Sequence, residues 1–295
     1  MLEKLKTLYG EKMMASGSAQ KHEALWFQTD EGETFGVLKE AVTEREKQLL
    51  LALFQPFSES QPSQLTPREK EWHQYFFANA PLENPENIQL VQGHFFKMKH
   101  SLEERQAIKE AVSGFFEHPI IVWYDQHEAL IIHENPSPYL PKKELEQLSD
   151  ALTSDFLSTP VFFSGQLHLV NASLQEKIRF EKQMFQHILV NSERGKVTSF
   201  CQCLPSFLLA APDKIKASLL SDAIRDALSD QETSLTIRTY MRCNLNASLT
   251  AKRLFIHRNS LQYRIDKFIE RTAIDIRQFE EAAAVYFILH FLKLL

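Results

Sequence analysis

The chain has 295 residues, enough for about two domains with a core buried without disulfides or structural metal. Glycine is scarce, with 8 residues, about 3% against a usual level near 7%, and none beyond Gly195, so glycine-rich phosphate cradles are excluded. The 33 basic and 38 acidic side chains leave a net charge of −5, which excludes a chain that coats nucleic acid along its whole length.

In chain order, the first 85 residues read as a small α/β unit. Ala24-Leu25-Trp26-Phe27 and Phe35-Gly36-Val37-Leu38 predict a hairpin across a turn at Asp30 to Glu33. Thr43 with Glu46, and Thr66 with Pro67 and Glu69, predict two capped helix starts, each threonine oxygen taking the third amide while the glutamate returns to the cap. Between the two helices, Ser58 to Gln64 is a polar loop, and Asn79 to Asn87, with two prolines, predicts a domain boundary.

From 86 to 170 the order becomes strand (Ile88 to Met98), helix (Leu102 to Phe116), strand (Ile120 to Tyr124), strand (Ala129 to Ile132), helix (Lys142 to Leu157) and strand (Val161 to Phe163). This βαββαβ order predicts a ferredoxin-like domain, with helices on one face of an antiparallel sheet, within an α+β chain. From 171 to 230 the pattern is a helical connector: Ser173 to Val190, Val197 to Ala210 with a break at Pro205, and Asp213 to Ser229. The segment 231–295 is again all helical.

Gly195-Lys196-Val197-Thr198 approaches a P-loop but has Val190 at the first glycine position and Val197 after the lysine, so nucleotide binding is not expected by that route. Cys201, Cys203 and Cys243 are read as buried thiols of a reducing cytosol, since a C-x-C spacing is too short for the usual zinc pairings. The histidines, without metal-ligand spacing, are read as surface and helix-end groups, and the Phe76-Phe77, Phe95-Phe96, Phe115-Phe116 and Phe162-Phe163 pairs as core. No cofactor, metal or catalytic group is expected. The charged N-terminus lacks a secretory signal, and the apolar run Ala282 to Leu295 is too short to span a bilayer, so a cytoplasmic location away from membranes follows.

Between Arg238 and Arg277, nine basic residues face only Asp266, Glu270 and Asp275, a local +6 that leaves −11 for the rest of the chain. Charge alone fits a solvated helix face as well as a phosphate-binding one. The local pattern adds more. Asn246 or Ser248 caps a short helix to about Leu254, in which small Ala251 allows close helix approach; Ile256-His257-Arg258 turns, and Asn259 or Ser260 opens a second helix to about Arg271. That is a helix-turn-helix, whose second helix lies in the DNA major groove. Leu261, Ile265, Phe268 and Ile269 share its inner face; Asn259, Ser260, Tyr263 and Lys267 share the outer one. Arg258 stands at the start of this second helix, within reach of a phosphate or guanine edge. Arg253 and Arg264 flank the unit and are expected on the DNA backbone, while outward-facing Asp266 is expected to pair with Lys267 or Arg264 or to lie beyond the groove.

Asn246 to Ile265, with Ala251-Lys252-Arg253-Leu254-Phe255-Ile256-His257-Arg258-Asn259-Ser260-Leu261-Gln262-Tyr263-Arg264-Ile265 at its centre, resembles the C-terminal helix-turn-helix of the PucR/CdaR family of bacterial transcription regulators, and Ile274-Asp275-Ile276 before a last apolar helix resembles that family's ending. The region is also similar to the DNA-binding end of the nucleoid protein Fis. The resemblance implies that Arg258, Asn259, Ser260, Gln262 and Tyr263 fall in the DNA-reading stretch, with His257 and Lys267 beside it. It further implies a degenerate middle domain related to GGDEF diguanylate cyclases; Tyr124-Asp125-Gln126-His127-Glu128 stands where two glycines would be needed, so cyclase activity is not carried over. The expected function is sequence-specific regulation of transcription by a homodimer on double-stranded DNA, with upstream domains for a small-molecule effector or for assembly. The alternatives are an interaction protein whose basic helices bind an acidic partner and a cyclase-type enzyme.

Overall fold

The computed structural model of the chain describes residues 2–15, 24–29, 34–56, 65–83, 85–136, 142–191, 197–212 and 219–292. The expected turn at 30–33, the loop at 58–64, and residues 195–196 and 213–218 lie outside them.

The chain begins with α1 (Leu2–Tyr9), β1 (Met13–Ala15), β2 (Ala24–Gln28), β3 (Thr34–Leu38), α2 (Glu44–Leu53), β4 (Gln55–Pro56) and α3 (Pro67–Ala78). The four strands form an antiparallel sheet in the order β1-β3-β2-β4. Phe27, Phe35, Val37, Leu50 and Phe54 make its small core, with Phe54 edge-on to Phe35 at 5.0 Å between centroids. Both capping boxes form: the Thr43 and Thr66 amides donate to Glu46 and Glu69 at 2.8 Å each. Trp72 of α3 is buried in the core of the second sheet, not the first, and its Nε1 donates to Glu134 at 2.6 Å. The helix grouped by sequence with the first 85 residues thus packs across that boundary.

The second sheet carries β5 (Leu90–Lys97), β6 (Ile120–Trp123), β7 (Glu128–Glu134), β8 (Val161–Leu169) and β9 (Val197–Ser199), in the order β6-β7-β5-β8-β9. The first four pair antiparallel and β9 runs parallel to β8. Successive strand residues point to opposite faces, and both faces are covered. Phe96, Ile121 and Phe162 meet Ile108 of α4 (Arg105–Ser113) and Leu145 and Leu148 of α5 (Lys142–Phe156), while Phe95, Val122 and Phe163 meet Ile178, Met184 and Phe185 of α6 (Leu174–Asn191). Each Phe-Phe pair in a strand therefore feeds two cores, and Ile120 to Trp123 is apolar throughout because neither of its faces meets water.

Several expectations are corrected. Val197 to Ser199 is strand, not helix: Val197 is buried beside Phe162, its pairing partner on β8, a long-range contact that local periodicity cannot register. Ser199 then opens α7 (Phe200–Ala210) through a capping box with Gln202, and the helix runs through Pro205 without a break, held by buried Cys201, Leu204 and Phe207. β8 extends six residues past Phe163. His94, His100 and His168 are buried, not surface groups; His94 packs on Phe116 at 5.5 Å, and burial holds its pKa down to about 3. All three cysteines are free and buried, and burial pushes the Cys203 thiol up to about 12.

The remainder is helical: α8 (Asp222–Ser229), α9 (Gln231–Arg242), α10 (Ala247–Arg253), α11 (Arg258–Thr272) and α12 (Phe279–Phe291). Buried residues of α7 and of all five belong to the same apolar cluster as one face of the second sheet, so this helical part is seated on the sheet. No helix among the described residues is long and apolar enough to cross a membrane.

Candidate nucleic-acid interface

α10 and α11 form the helix-turn-helix and α9 packs against them; each of the three begins with a side-chain cap. Asp230 accepts from the Thr233 amide at 2.8 Å, and Asn246 from Leu249 at 2.9 Å. The cap of α11 is His257, whose Nδ1 accepts from the Asn259 amide at 3.2 Å. The sequence pattern puts that cap at Asn259 or Ser260; the extended backbone of His257 (φ −70°, ψ 148°) lets an imidazole nitrogen do what a serine or asparagine oxygen usually does, and the cap falls two or three residues earlier.

The turn between α10 and α11 closes without glycine. Leu254 ends α10, Phe255 takes the left-handed conformation (φ 55°), and the Ile256 and Phe255 amides return to the carbonyls of Ala251 at 3.0 Å and Lys252 at 3.3 Å. This is a Schellman closure. Its consequence was not foreseen from sequence: the Phe255 ring is 95% exposed beside the start of α11. The signal that could have found it is an aromatic at a turn position where glycine would cost least.

The inner face of the unit is dry. Ala251 of α10 and Leu261, Ile265, Phe268 and Ile269 of α11 are buried in one cluster with Ile237 and Tyr240 of α9, as the helical spacing predicts. The outer face of α11 presents Asn259, Ser260, Tyr263 and Lys267, with Gln262 at its edge and Arg258 at the helix start, all exposed, and Tyr263 at 66% near its centre. Phenol, amide, hydroxyl, guanidinium and ammonium groups thus stand within the first three turns of one helix, beside its N-terminal amides, a combination that suits phosphates and base edges.

Two charged groups sit differently from expectation. Arg264 is half-buried and turns to α9, with Nη2 at 2.6 Å from Glu232 and Nη1 donating to Thr236 at 3.3 Å. It braces two helices instead of reaching outward. Asp266 pairs with neither Lys267 nor Arg264: its Oδ1 accepts from Gln262 at 2.9 Å and lies 3.3 Å from Arg277, which also holds Asp275 at 2.7 Å. Arg253 is exposed, with Nη1 3.7 Å from the Cys243 sulfur. Among the described residues, Lys252, Arg253, Arg258, Lys267 and Arg271 have no carboxylate within 4 Å, so the positive charge of the segment is concentrated on and around the outer face of α11. A groove of about 630 Å³ runs along that face, bounded by Asn259, Tyr263, Lys267 and Arg271 on one side and by Asp230 and Glu232 on the other.

One comparison with known proteins falls on this segment. Residues 235–291 match the PucR C-terminal helix-turn-helix domain. The chain is 32% identical to the Bacillus subtilis protein YxkF over 256 residues, 85% of this chain and 84% of that one. It is 37% identical to the Escherichia coli carbohydrate diacid regulator over 51 residues, 17% of this chain and 13% of the regulator. It is 35% identical to the Bacillus subtilis proline-responsive transcriptional activator PutR over 69 residues, 23% of this chain and 17% of PutR. Two of these relatives are named for regulation, one as a carbohydrate diacid regulator and one as a transcriptional activator. With a dry inner face, a polar and cationic outer face and these relatives, the chain belongs to the PucR/CdaR family of DNA-binding transcriptional regulators.

Proposed function

We propose that α11 lies in the major groove, with Arg258, Asn259, Ser260, Gln262 and Tyr263 reading base edges and nearby phosphates, and Lys267 and Arg253 holding the backbone. The observation that carries this reading is the exposure of Asn259, Ser260, Tyr263 and Lys267 on the face of α11 opposite its fully packed one, with Arg258 exposed at the helix start and Gln262 at the edge. His257 contributes by capping the helix, and Arg264 by fixing its angle to α9. One helix-turn-helix reads one half-site, so the active species is a homodimer on half-sites about 10 bp apart or a multiple.

The chain divides functionally near residues 85, 170 and 230: a small α/β unit, a middle domain, a helical connector and the DNA-binding end. The sheet order β6-β7-β5-β8 with α4 and α5 on one face supports a ferredoxin-like middle domain. Its hairpin after Tyr124 is closed on itself, with the Asp125 carboxylate accepting from the His127 and Glu128 amides at 2.6 and 2.7 Å, which supports a degenerate GGDEF-like role without nucleotide chemistry. The likeness to PutR, a proline-responsive activator, favours a small-molecule effector for the upstream part.

The DNA-reading assignment is tested by fluorescence anisotropy on genomic operator fragments at fixed salt. Arg258→Ala and Tyr263→Ala are each expected to weaken binding by about 5- to 100-fold, the equivalent of roughly 1–3 kcal/mol, with the melting temperature unchanged. Undiminished affinity in both variants would sink the assignment.

A further inference from the structure

Behind α11, a cavity of about 460 Å³ separates the second sheet from the helix-turn-helix. One wall is the stretch where β5 and β8 fall out of step: Gln92 pairs with Leu167 but His94 with Ser164, so β8 carries an extra residue at Gly165-Gln166. Such bulges re-aim side chains. The facing wall is Thr272 to Asp275, at the end of α11, with Glu280 and Glu281 in the first turn of α12. Lys142 and Lys143, at the start of α5, border it.

One buried acceptor on this cavity lacks a donor, and its glutamates lack a close cation among the described residues. Gln92 is only 4% exposed; its Nε2 donates to the Gly165 carbonyl at 3.0 Å, while its buried Oε1 accepts nothing among the described residues. An acceptor buried and unmet costs on the order of 1–3 kcal/mol unless a partner arrives. Glu281, mostly buried, accepts from the Asp275 amide at 2.6 Å but has no cation within 4 Å among the described residues; burial, with Asp275 and Glu280 beside it, raises its carboxyl to about 7. Glu280 accepts from Gln202. An ammonium brings three donors and a positive charge, which answers the Gln92 oxygen and the glutamates together. Lys143, exposed, and Lys142, which donates to Gln202 at 3.0 Å, supply cations for a carboxylate. The volume lies within the range of about 300–1,000 Å³ usual for small-ligand pockets.

We propose that this cavity is an effector site for an α-amino acid, its ammonium met by Gln92 Oε1 and the Glu280–Glu281 pair and its carboxylate by Lys142 and Lys143. Because one wall is the sheet and the other is the end of the recognition helix, an occupied cavity fixes α11 against the rest of the chain, and by linkage DNA changes amino-acid affinity by the same factor as the amino acid changes DNA affinity. This regulatory role rests on the DNA-reading assignment above; the binding site does not.

The test is thermal unfolding of the full chain with each proteinogenic L-amino acid at millimolar concentration and, in parallel, with the corresponding 2-oxo acids. At least one amino acid is expected to raise the midpoint by about 2–5 °C, its 2-oxo acid to leave it unchanged, and Glu281→Gln and the exposed-site variant Glu280→Gln to lose most of the shift. No shift with any amino acid, an equal shift with the 2-oxo acid, or a shift that survives both substitutions overturns the site. Anisotropy on duplex DNA, with and without the amino acid that shifts the midpoint, separates the readings. Unchanged DNA affinity on its addition overturns the effector role, whereas absent DNA binding with the thermal shift intact counts against α11 as the reader and not against the cavity.

Discussion

The outer face of α11 and the seam between the second sheet, α6 and α8 hold similar chemical groups and treat them in opposite ways. At the seam, Lys177 is fully buried and donates to Asp222 at 2.6 Å; Asp222 also accepts from Asn171 at 2.7 Å and from Arg225. Close by, Glu181 accepts from the Gln166 amide at 2.7 Å and pairs with His168 at 2.8 Å, while Gln166 accepts from the Ser221 amide at 2.9 Å. On α11, Arg258, Tyr263 and Lys267 reach solvent with no hydrogen bond or ion pair among the described residues. Groups taken out of water need partners inside the chain, and the Lys177–Asp222 set, which has them, fixes one arrangement of its elements. Groups left in water cost nothing to keep open and stay available to a partner. The seam specifies where the helical part sits on the sheet, and the α11 face is reserved for what binds there.

That contrast can be broken most severely at the seam. Lys177→Met removes the buried cation of Asp222 and leaves it only the partly exposed Arg225; one-sided breaks of buried pairs cost about 3–5 kcal/mol, so urea or thermal unfolding should show a loss near the lower end of that range, and Lys177→Met/Asp222→Leu should recover much of it. A loss below about 1 kcal/mol would mean that the pair is well hydrated.

Glu281 sharpens the comparison through pH. Its carboxyl titrates at about 7 in the folded chain against an ordinary 4.5, so between those values the folded state holds a proton that the unfolded state has released. Stability should therefore fall as pH rises from about 4.5 to 7, by on the order of 2–3 kcal/mol, and Glu281→Gln should flatten that slope in thermal melts across the same range. A smaller effect is expected at α10: Asn246→Ala removes the cap to Leu249 and should cost about 1 kcal/mol, read as faster hydrogen exchange confined to α10 and the turn.

What sequence made legible was local. Threonine with glutamate three residues on declared α2 and α3, four apolar positions at helical spacing declared the inner face of α11, and a charge count over forty residues found the basic segment. What it hid was long-range. Val197 to Ser199 carry no strand signature until β8 lies beside them, and Pro205 breaks nothing because the surrounding packing holds α7 together. The partners of Arg264 come from α9, and the cation beside Asp266 comes from the loop after α11, beyond the window of a helical wheel. His168 looked like a surface group because its partner Glu181 is thirteen residues away on another element. Residue types and faces of the candidate site were readable; which of its charges are already paired was not.

The claim that the α11 face binds DNA is tested most directly by the salt dependence of affinity for duplex DNA, measured for the unaltered chain and for Lys267→Ala. Phosphate binding releases counterions, so log K should fall steeply with log salt, by about 0.9 per phosphate neutralised, and Lys267→Ala should lose roughly one phosphate's share of that slope. A slope near zero in the unaltered chain would contradict DNA binding by this face and favour an acidic protein partner for the basic helices.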